Sequence, residues 1–358
     1  MEGRKVQKVG YSTITVSLPS KWVKQNKIRP GDLVFVSIEK DGTLRIMPSQ
    51  IALREEAEEY IINADACSEP GMVERIIIGS YILGRDVIRV SSQSRIRGEC
   101  VHEIRRIVRK LIGLGILEET PNHILLQCSI DPTKFKLDML IRRLAVVAST
   151  ILSDALQALL EGNYAMAEEA ISREDEADMI YYLAVRLLLS AQMKPDIAEQ
   201  IGATDTRFIP AIRLILQYLE LVADYSEDIA REVLELKIYR DKVPKDSIKT
   251  IFDMGEMTRT ILDKAVDCLF TGDIKVANSL LQLKETIEIE CNKFLQVAPV
   301  VPHLRSIVST LQKIADKGAT IAEIAINRSL ETHGKGVDEI LRVVKHVRQL
   351  PVAKFTKG

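Results

Sequence analysis

The sequence is poor in several features that mark particular classes of protein. Its five cysteines are odd in number, are scattered and never form a CxxC pair. Neither a disulfide framework nor a cysteine-based zinc site is therefore expected, whereas a reducing compartment is. No apolar segment of the signal-peptide kind opens the chain, and the longest apolar run, at 76–84, is too short and too interrupted to span a bilayer. We expect a cytoplasmic protein without membrane insertion.

Motifs of the common enzyme classes are missing as well. The sequence contains neither GxxxxGK[ST] nor GxGxxG, which leaves nucleotide hydrolysis and dinucleotide chemistry without support. None of the five histidines lies at ligand spacing from a cysteine or a second histidine, and we interpret each as a surface or packed residue. We therefore predict that the chain is not an enzyme and has no catalytic residues.

The net charge of −1 hides an asymmetry. Residues 1–31 carry seven lysines and arginines against Glu2 alone, a net charge of +6, so the rest of the chain carries −7. A basic N-terminus on an acidic body favours a polyanion as the partner of the N-terminus.

Residues 1–49, which we call the head, read as a small β-rich domain. An alternating strand and a short helix precede a Pro-Gly turn and two strands around Asp41-Gly42, a strong hairpin signal. These elements are expected at 11–17, 19–26, 29–32, 33–38 and 43–47. So few elements cannot close a core in about 50 residues. We therefore predict that two copies intertwine and that the protein is a homodimer or a higher oligomer.

Residues 50–131 read as a separate α/β unit to which we assign no role. Its strands and helices follow in the order β-α-β-α-β-β, which fits a small ferredoxin-like sandwich. The second helix, at 99–112, carries four basic residues: Arg105, Arg106, Arg109 and Lys110. They form either a solvated face or a second anion-binding surface.

The remainder of the chain, which we call the body, has a helical pattern and contains an internal repeat. Residues 150–171 align without a gap to 260–281, and 219–230 align to 311–322 at a smaller offset. Each copy holds three long helices, so we predict two stacked antiparallel three-helix bundles. The bundles are expected at 132–242 and at 243–358, the second with a C-terminal helix and tail.

The first copy places two pairs of carboxylates at helical spacing: Glu174 with Asp178, and Glu220 with Asp224. A spacing of four puts both members of a pair on one helical face, where like charges repel by about 0.2–0.5 kcal/mol. If the two helices pack through these faces, four acids converge, and hard cations such as Mg²⁺, Mn²⁺ or iron would neutralise them. The alternative is a solvated acidic face with Lys or Arg partners. A di-iron enzyme is disfavoured, because no histidine lies near either pair.

The second copy differs at the aligned positions, where Lys284 and Glu288 are followed by Gln312 and Asp316. Two of the four acids are replaced, one of them by a cation. A lysine ammonium has no lone pair to offer and competes with a metal for the remaining acids. We therefore predict a degenerate second metal site, in which an internal ion pair replaces the metal.

Three segments of the head, SLPSKWV (17–23), IRPGD (28–32) and DGTLRI (41–46), resemble in order and spacing the AbrB/SpoVT/MazE-like swapped-hairpin family. The resemblance implies a DNA-binding fold made by two interleaved chains. Basic residues of the first strand, of the arm before it and of the helix start would face the groove. The residues implied for DNA binding are Arg4, Lys5, Lys8, Ser12, Thr13, Lys21 and Lys24.

Two segments of the body, SREDEAD (172–178) and ELVADYSEDIA (220–230), resemble the paired E(D)xxxD motifs of the PhoU family. The resemblance covers roughly 133–330 and implies tandem three-helix bundles that hold metal clusters. The implied ligands, for Fe, Mn, Mg or Zn, are Glu174, Asp178, Glu220, Asp224 and, one turn further, Asp228. The expected fold is therefore multidomain and mainly α, with a swapped β-hairpin head, a small α/β (ferredoxin-like) unit and tandem PhoU-like bundles.

Together the two resemblances imply a DNA-binding regulator of phosphate uptake of an archaeal type, whose metal-binding body senses the state of the cell and acts negatively. Proteins of this kind work with the phosphate ABC transporter, so its ATPase or a sensor protein is an expected partner besides DNA. The alternative is an accessory protein of that transporter whose head serves only to dimerise. An antitoxin-like role for the head is disfavoured by the size of the body.

Overall fold

The structure is a computed structural model, and it describes residues 3–38, 42–49, 59–205, 207–297, 301–332, 334–335 and 337–340. The chain divides into two compact units, Met1–Glu58 and Glu59–Gly358. Asp41 of the predicted hairpin turn, the start of the α/β unit and the C-terminal tail lie outside the described residues. The predicted four-part division of the chain stays a prediction.

The head contains two small hairpins joined by a helix. Its elements are β1 (Gln7–Val9), β2 (Thr13–Thr15), α1 (Ser20–Gln25), β3 (Val34–Ile38) and β4 (Leu44–Pro48). Strands β1 and β2 pair antiparallel, as do β3 and β4. The alternating pattern predicted β2, β3 and β4 and missed β1, which is three residues long. Gly10, with φ at 66°, starts the turn that folds β1 back onto β2.

The head has almost no interior of its own. In its described part Pro48 is the one residue that is buried. Large apolar side chains are exposed on both hairpins and between them, and Ile38 and Leu33 have 80% and 74% of their surface in solvent. Apolar surface on this scale is what a second copy would cover. The interleaving of two chains itself stays a prediction.

The α/β unit is a two-layer sandwich whose core is separate from that of the helical body. Its elements are β5 (Glu59–Asn63), α2 (Met72–Ile82), β6 (Val87–Ser91), α3 (Gly98–Lys110), β7 (Leu114–Glu119) and β8 (His123–Cys128). The predicted order of elements is confirmed. Alternate residues of the strands β6 and β8 face the helices, so that Ile88 and Leu126 are buried, and Ile62 of β5 is buried as well.

The connection of the strands differs in detail from a ferredoxin-like sheet. The sheet order is β5-β6-β8-β7, with β5 and β6 parallel and the other pairs antiparallel. In the split βαβ arrangement of a ferredoxin-like β-α-β-β-α-β chain, the two parallel strands that a helix connects are not neighbours in the sheet. Here both helices precede the hairpin, so the two parallel strands lie side by side and the hairpin completes one edge.

The body is helical throughout its described part. Its helices are α4 (Leu137–Glu161), α5 (Tyr164–Ser172), α6 (Glu174–Met193), α7 (Pro195–Ile201), α8 (Ile209–Glu235), α9 (Lys245–Thr271), α10 (Ile274–Val297), α11 (Pro302–Thr332) and α12 (Val337–Ile340). The mainly α fold class is confirmed. Helix α4 is long and apolar enough, by length and composition alone, to cross a membrane, and 56% of its most apolar window is buried inside the body.

The internal repeat is visible in the helix ends. Helix α4 corresponds to α9, α5 with α6 corresponds to α10, and α8 corresponds to α11. Gly162 and Gly272, aligned in the repeat, both take the left-handed conformation that ends the first helix of their copy. The first copy alone breaks its second helix, at Arg173, and adds α7.

One continuous core runs through both copies. The four long helices α4, α8, α9 and α11 pack on one another, while α6 packs on α4 and α8, and α10 packs on α9 and α11. Gly255 of α9 allows a close approach, since a Cβ there would lie 2.4 Å from the Leu156 side chain of α4. The bundles are therefore joined by a packed interface, and the positions of α6 and α8 are set by this core.

Candidate functional site

The structure brings together the four acids predicted on the first copy. Glu174 is the first residue of α6 and Asp178 lies one turn later, while Glu220 and Asp224 lie on the facing side of α8. All four are half-buried. The apolar residues between them, such as Ala177 and Ala223, are buried in the core and hold the two acidic faces against each other. We call this group the acidic seat.

Burial and mutual repulsion disturb the protonation of the acidic seat. Burial raises the pKa of Glu220 to about 7, helped by the charges of Asp224 and Asp178. Burial, followed by the charge of Asp178, raises the pKa of Asp224 to about 6. The pKa of Glu174 is also raised, by burial and by Asp178. The surroundings of the seat therefore stabilise its ionised carboxylates poorly, because burial and neighbouring negative charges both oppose ionisation.

A cation from the α/β unit enters this site. The ammonium Nζ of Lys110, the last residue of α3, lies 3.2 Å from Asp178 Oδ2 and 2.5 Å from Asp175 Oδ1. The Asp178 side chain is only 13% exposed. Burial lowers the pKa of Lys110, but the hydrogen bond to Asp175 and the charge of Asp178 more than offset this, so the pKa lies above its ordinary value. Lys110 is thus a charged partner of the acidic seat.

Polar side chains from α6 and α8 orient the other end of the seat. Gln217 Nε2 donates a hydrogen bond of 2.7 Å to Glu220 Oε2, and the Tyr181 hydroxyl donates one of 2.6 Å to Gln217 Oε1. The guanidinium of Arg213 lies over the Tyr181 ring, 5.4 Å from its centroid. Glu220 is therefore held by the Gln217 amide, whose oxygen also accepts a hydrogen bond of 3.4 Å from Arg213 Nη1.

Two further acids of α8, Asp228 and Glu227, act on the seat through their charge. Asp228 is exposed, and its charge contributes to the raised pKa of Asp224. Glu227, which the sequence analysis missed, is 19% exposed, pairs with Arg231 at 2.5 Å and acts on the pKa values of Asp224 and Glu174. Its spacing of three from Asp224 could have indicated a shared face.

The acidic seat does not fit a metal ion in the arrangement observed. Carboxylate oxygens are the donors that hard cations prefer, and the excess of negative charge favours a cation. In the described parts of the chain, however, no three Asp, Glu, His or Cys side chains are grouped so that they could hold a metal ion together. The ammonium of Lys110 lies on Asp178, one of the predicted ligands. Metal binding by the predicted ligands stays a prediction.

The second copy contains the predicted ion pair. Lys284 Nζ lies 2.9 Å from Glu288 Oε2 and 3.1 Å from Asp316 Oδ1. Together with Gln312 these side chains line an open pocket of about 150 Å³. Hydrogen bonds to Glu288 and Asp316 raise the pKa of Lys284. Both copies of the repeat therefore place a lysine ammonium among their carboxylates.

The basic residues of α3 are mostly engaged within the protein. Arg105 pairs with Glu119 at 2.7 Å, and Arg106 pairs with Glu74. Lys110 is bound in the acidic seat, and Arg109 is exposed. Three of the four residues are thus ion-paired, which favours a structural surface over a second anion-binding surface.

The residues implied for DNA binding are spread over both hairpin faces of the head. Lys8 pairs with Ile14 across the β1–β2 ladder, whereas Thr13 pairs with Val9. Neighbouring residues of a strand point to opposite faces, so Lys8 and Thr13 lie on opposite faces of this hairpin. All residues of the set are exposed: Arg4, Lys5, Lys8, Ser12, Thr13, Lys21 and Lys24. Arg4 donates a hydrogen bond of 3.2 Å to Ser17 Oγ.

Comparison with known proteins confirms both resemblances. Residues 141–233 match the family model described as PhoU domain, and 7–52 match the model described as antidote-toxin recognition MazE, bacterial antitoxin. A relative from Zymomonas mobilis, described as phosphate-specific transport system accessory protein PhoU homolog, is 23% identical over 185 residues, which are 48% of this chain and 75% of the relative.

Two solved structures are similar to part of the chain. The crystal structure of PhoU from Pseudomonas aeruginosa has a TM-score of 0.48 and 18% identity, and covers 55% of this chain and 96% of its own. The PhoU regulatory protein from Streptococcus pneumoniae has a TM-score of 0.45 and 21% identity, and covers 55% and 94%.

Proposed function

We propose that the chain is a cytoplasmic, non-enzymatic regulator of phosphate uptake that binds DNA through its head as a homodimer and acts negatively. The observation that carries the proposal is the presence in one chain of a segment that matches the PhoU domain and of a segment that matches a MazE-type domain. The name of the Zymomonas relative supports the link to phosphate transport. The helical body is the sensing part, and a component of the phosphate transporter is its partner.

The charge and the surface of the head support a polyanionic partner. The seven basic residues of 1–31 stand against one acid, and those that the structure describes are exposed. Lys21 and Lys24 are three residues apart on α1 and share a face. Lysines that contact phosphates give an affinity that falls with salt. Each contact adds about −0.9 to the slope of log affinity against log salt concentration.

Dimerisation of the head is supported by its lack of a core. Phe35, Val36 and Ile38 on β3 are exposed, as is Leu44 on β4. A hairpin with this much apolar surface in solvent is marginal on its own. A second copy, which offers the same strands, would cover it by pairing and packing.

A second candidate function is an accessory protein of the phosphate transporter whose head serves only to dimerise. The observation that favours it is the name of the Zymomonas relative, which is an accessory protein. The two candidates share the dimer and the body, and they differ in whether the head contacts DNA.

The test is retention of genomic DNA fragments by the purified protein at two salt concentrations, followed by sequencing of the retained DNA. The proposed regulator retains fragments upstream of phosphate-transport genes at the higher salt. Replacing Lys5, Lys8 and Lys21 by Ala should abolish this retention and leave the dimer intact, since the apolar face is unchanged. Uniform retention that vanishes with salt supports the accessory protein instead.

A matched control removes three charges from the body. Lys134, Lys194 and Lys249 are exposed and lie far along the chain from the head. Their joint replacement by Ala changes the net charge by the same amount. Retention should match that of the unaltered protein; an equal loss in both triple variants would show that only the overall charge matters and would contradict specific contacts by the head.

A further inference from the structure

The sheet of the α/β unit is the outermost layer of its part of the molecule. Helices α2 and α3 cover one face of the sheet, and the same helices pack on α6 of the body. The order of strands is β5-β6-β8-β7, so β5 and β7 are the edge strands among those that the structure describes. An edge strand presents main-chain groups with which a further strand can pair.

The edge at β7 is protected against such pairing. The ladder between β7 and β8 is irregular between Ile116 and Glu118, where Leu117 is an extra residue. Glu118 and Glu119 place two exposed carboxylates beside this bulge. Bulges and charged side chains are the features by which natural sheets block edge-to-edge pairing.

The edge at β5 is built differently. Strand β5 pairs with β6 in a regular register over all five of its residues, Glu59–Asn63. Its central residues, Tyr60, Ile61 and Ile62, are of types that strands favour, and the strand contains neither proline nor lysine. Ile62 is buried under the helices, so its neighbour Ile61 lies on the opposite face, where 67% of its surface is in solvent. A regular, apolar edge strand of this kind favours pairing with another strand.

A second copy of β5 is complementary to this strand. In an antiparallel pair that uses all five residues, Ile61 lies opposite Ile61 of the second copy, and Glu59 lies opposite Asn63 of the second copy. Asn63 Oδ1 accepts a hydrogen bond from the Asp65 N–H, so the Asn63 amide N–H groups are the donors that a carboxylate opposite it would use. Apolar pairs and hydrogen-bonded pairs across two strands stabilise them, whereas like charges would repel. This register places no two like charges opposite each other.

The length of chain between the head and β5 favours a second copy as the partner. Ser49, at the end of β4, and Glu59, at the start of β5, are ten residues apart, a distance of at most about 35 Å. Two chains joined at their heads therefore keep their β5 strands within reach of each other, at an effective concentration above that of free chains. This step rests on the head dimer of the proposed function.

We propose that β5 is a second dimer contact, at which the α/β units of two chains pair antiparallel about a two-fold axis at Ile61. The sheet then continues from one chain into the other as eight strands. Because the β7 edges are protected, the assembly closes at two chains. Arg186 of α6 donates hydrogen bonds to the end of α2, so the contact also fixes the two bodies relative to each other.

The experiment is disulfide cross-linking of full-length chains that carry one introduced cysteine. The five native cysteines are buried, so an introduced, exposed thiol is the one that reacts with oxidised glutathione. In the proposed pair the two Cα atoms of residue 61 lie about 4.5–5.5 Å apart, a distance that a disulfide bridges. Ile61→Cys should therefore convert the chain into covalent dimers.

Leu117→Cys is the matched control on the other edge. The Leu117 side chain is similarly exposed, at 64%. In an eight-stranded sheet the two β7 edges are separated by seven strand spacings, or about 34 Å. This variant should therefore stay without a cross-link under the same conditions.

Hydrogen exchange tests the pairing without an introduced cysteine. Ile61→Lys places two ammonium groups opposite each other at the axis, which opposes pairing, and the side chain is exposed in the single chain. Exchange in β5 should become at least about fivefold faster, the factor that one backbone hydrogen bond contributes. Leu117→Lys should leave exchange in β5 unchanged.

The outcomes separate this contact from the dimer of the head. A chain that is a dimer by light scattering but shows no cross-link in Ile61→Cys refutes the β5 contact and leaves the head dimer standing. Equal cross-linking at 61 and 117 shows random collision and also refutes it, as does unchanged exchange of β5 in Ile61→Lys. A chain that is a monomer by light scattering contradicts both contacts.

Discussion

Replacing Arg186 by Met should weaken the attachment of the α/β unit to the body without unfolding the helical core. The guanidinium is 5% exposed and donates to the carbonyl oxygens of Tyr81 and Arg85, the last turn of α2 and its end. A hydrogen bond to a charged group contributes about 1.5–3 kcal/mol. The Tyr81 oxygen keeps a second hydrogen bond, which the Gly84 N–H donates at 3.0 Å. The pair with Asp86 adds little, because the Asp86 side chain is 67% exposed.

The expected loss is therefore about 3–5 kcal/mol, from two hydrogen bonds that a buried guanidinium donates. A chain of several units does not unfold in one step, so the loss should appear locally. Hydrogen exchange of 87–91 and 98–110 should become faster by the corresponding factor, while exchange in α4 stays the same.

Arg207→Met is the matched control for this prediction. Arg207 is 70% exposed and pairs with Asp205 and Glu331 on the surface. Exposed ion pairs contribute about 0–1 kcal/mol, so exchange in the α/β unit should be unaffected. If Arg186→Met changed the local opening free energy by less than about 1 kcal/mol, the idea that this residue anchors the α/β unit would be refuted.

Two further predictions concern the body. Gly255→Ala should destabilise the body by about 1–3 kcal/mol, because the new methyl group meets Leu156 at 2.4 Å. Gly79→Ala has open space around it and should stabilise α2 by about 0.5–1 kcal/mol. Urea unfolding of both variants checks this, and an equal effect of the two substitutions on stability would contradict it. The pKa values of Glu220 and Asp224, about 7 and about 6, lie above those of the unfolded chain. Between about pH 4 and pH 7 the folded chain therefore binds more protons, so stability should fall as the pH rises through this window. Full linkage of the two shifts would give about 6 kcal/mol, and because solvent screens these half-buried groups we expect a fall of about 2 kcal/mol. Chelator-treated protein tested by urea unfolding at each pH checks the sign, and stability that rises over the window would contradict it.

Much of the body could be predicted because its repeat is local in sequence. The offset that aligns 150–171 with 260–281 also aligns Gly162 with Gly272, and these glycines end α4 and α9. Helical periodicity then placed the acids of each pair on one face. Two copies that align without a gap share their local structure, and helical periodicity in the sequence predicts local structure.

The contacts between units could not be predicted in this way. Lys110 and Asp178 are separated by 68 residues and belong to different parts of the fold. Nothing in the basic pattern of α3 distinguishes Lys110, which reaches the acidic seat, from Arg109, which stays exposed. The order of the strands in the α/β unit was likewise beyond the pattern, since the order of elements along the chain does not determine which strands are neighbours in the sheet. Strand β1 was missed because its sequence, QKV, contains a single apolar residue and shows no alternation, whereas the alternation around β2 extends over 11–17.

Both copies of the repeat place a lysine ammonium among their carboxylates, but the lysine comes from a different part of the fold in each copy. Lys284 and Glu288 are four residues apart on one helix, so their pair forms whenever α10 forms. The first copy has more acids and takes its ammonium from the α/β unit, so its balance holds only while that unit is docked. The cation of the first copy therefore depends on packing between the α/β unit and the body, which lie 68 residues apart at Lys110 and Asp178. The cation of the second copy depends on the local structure of one helix.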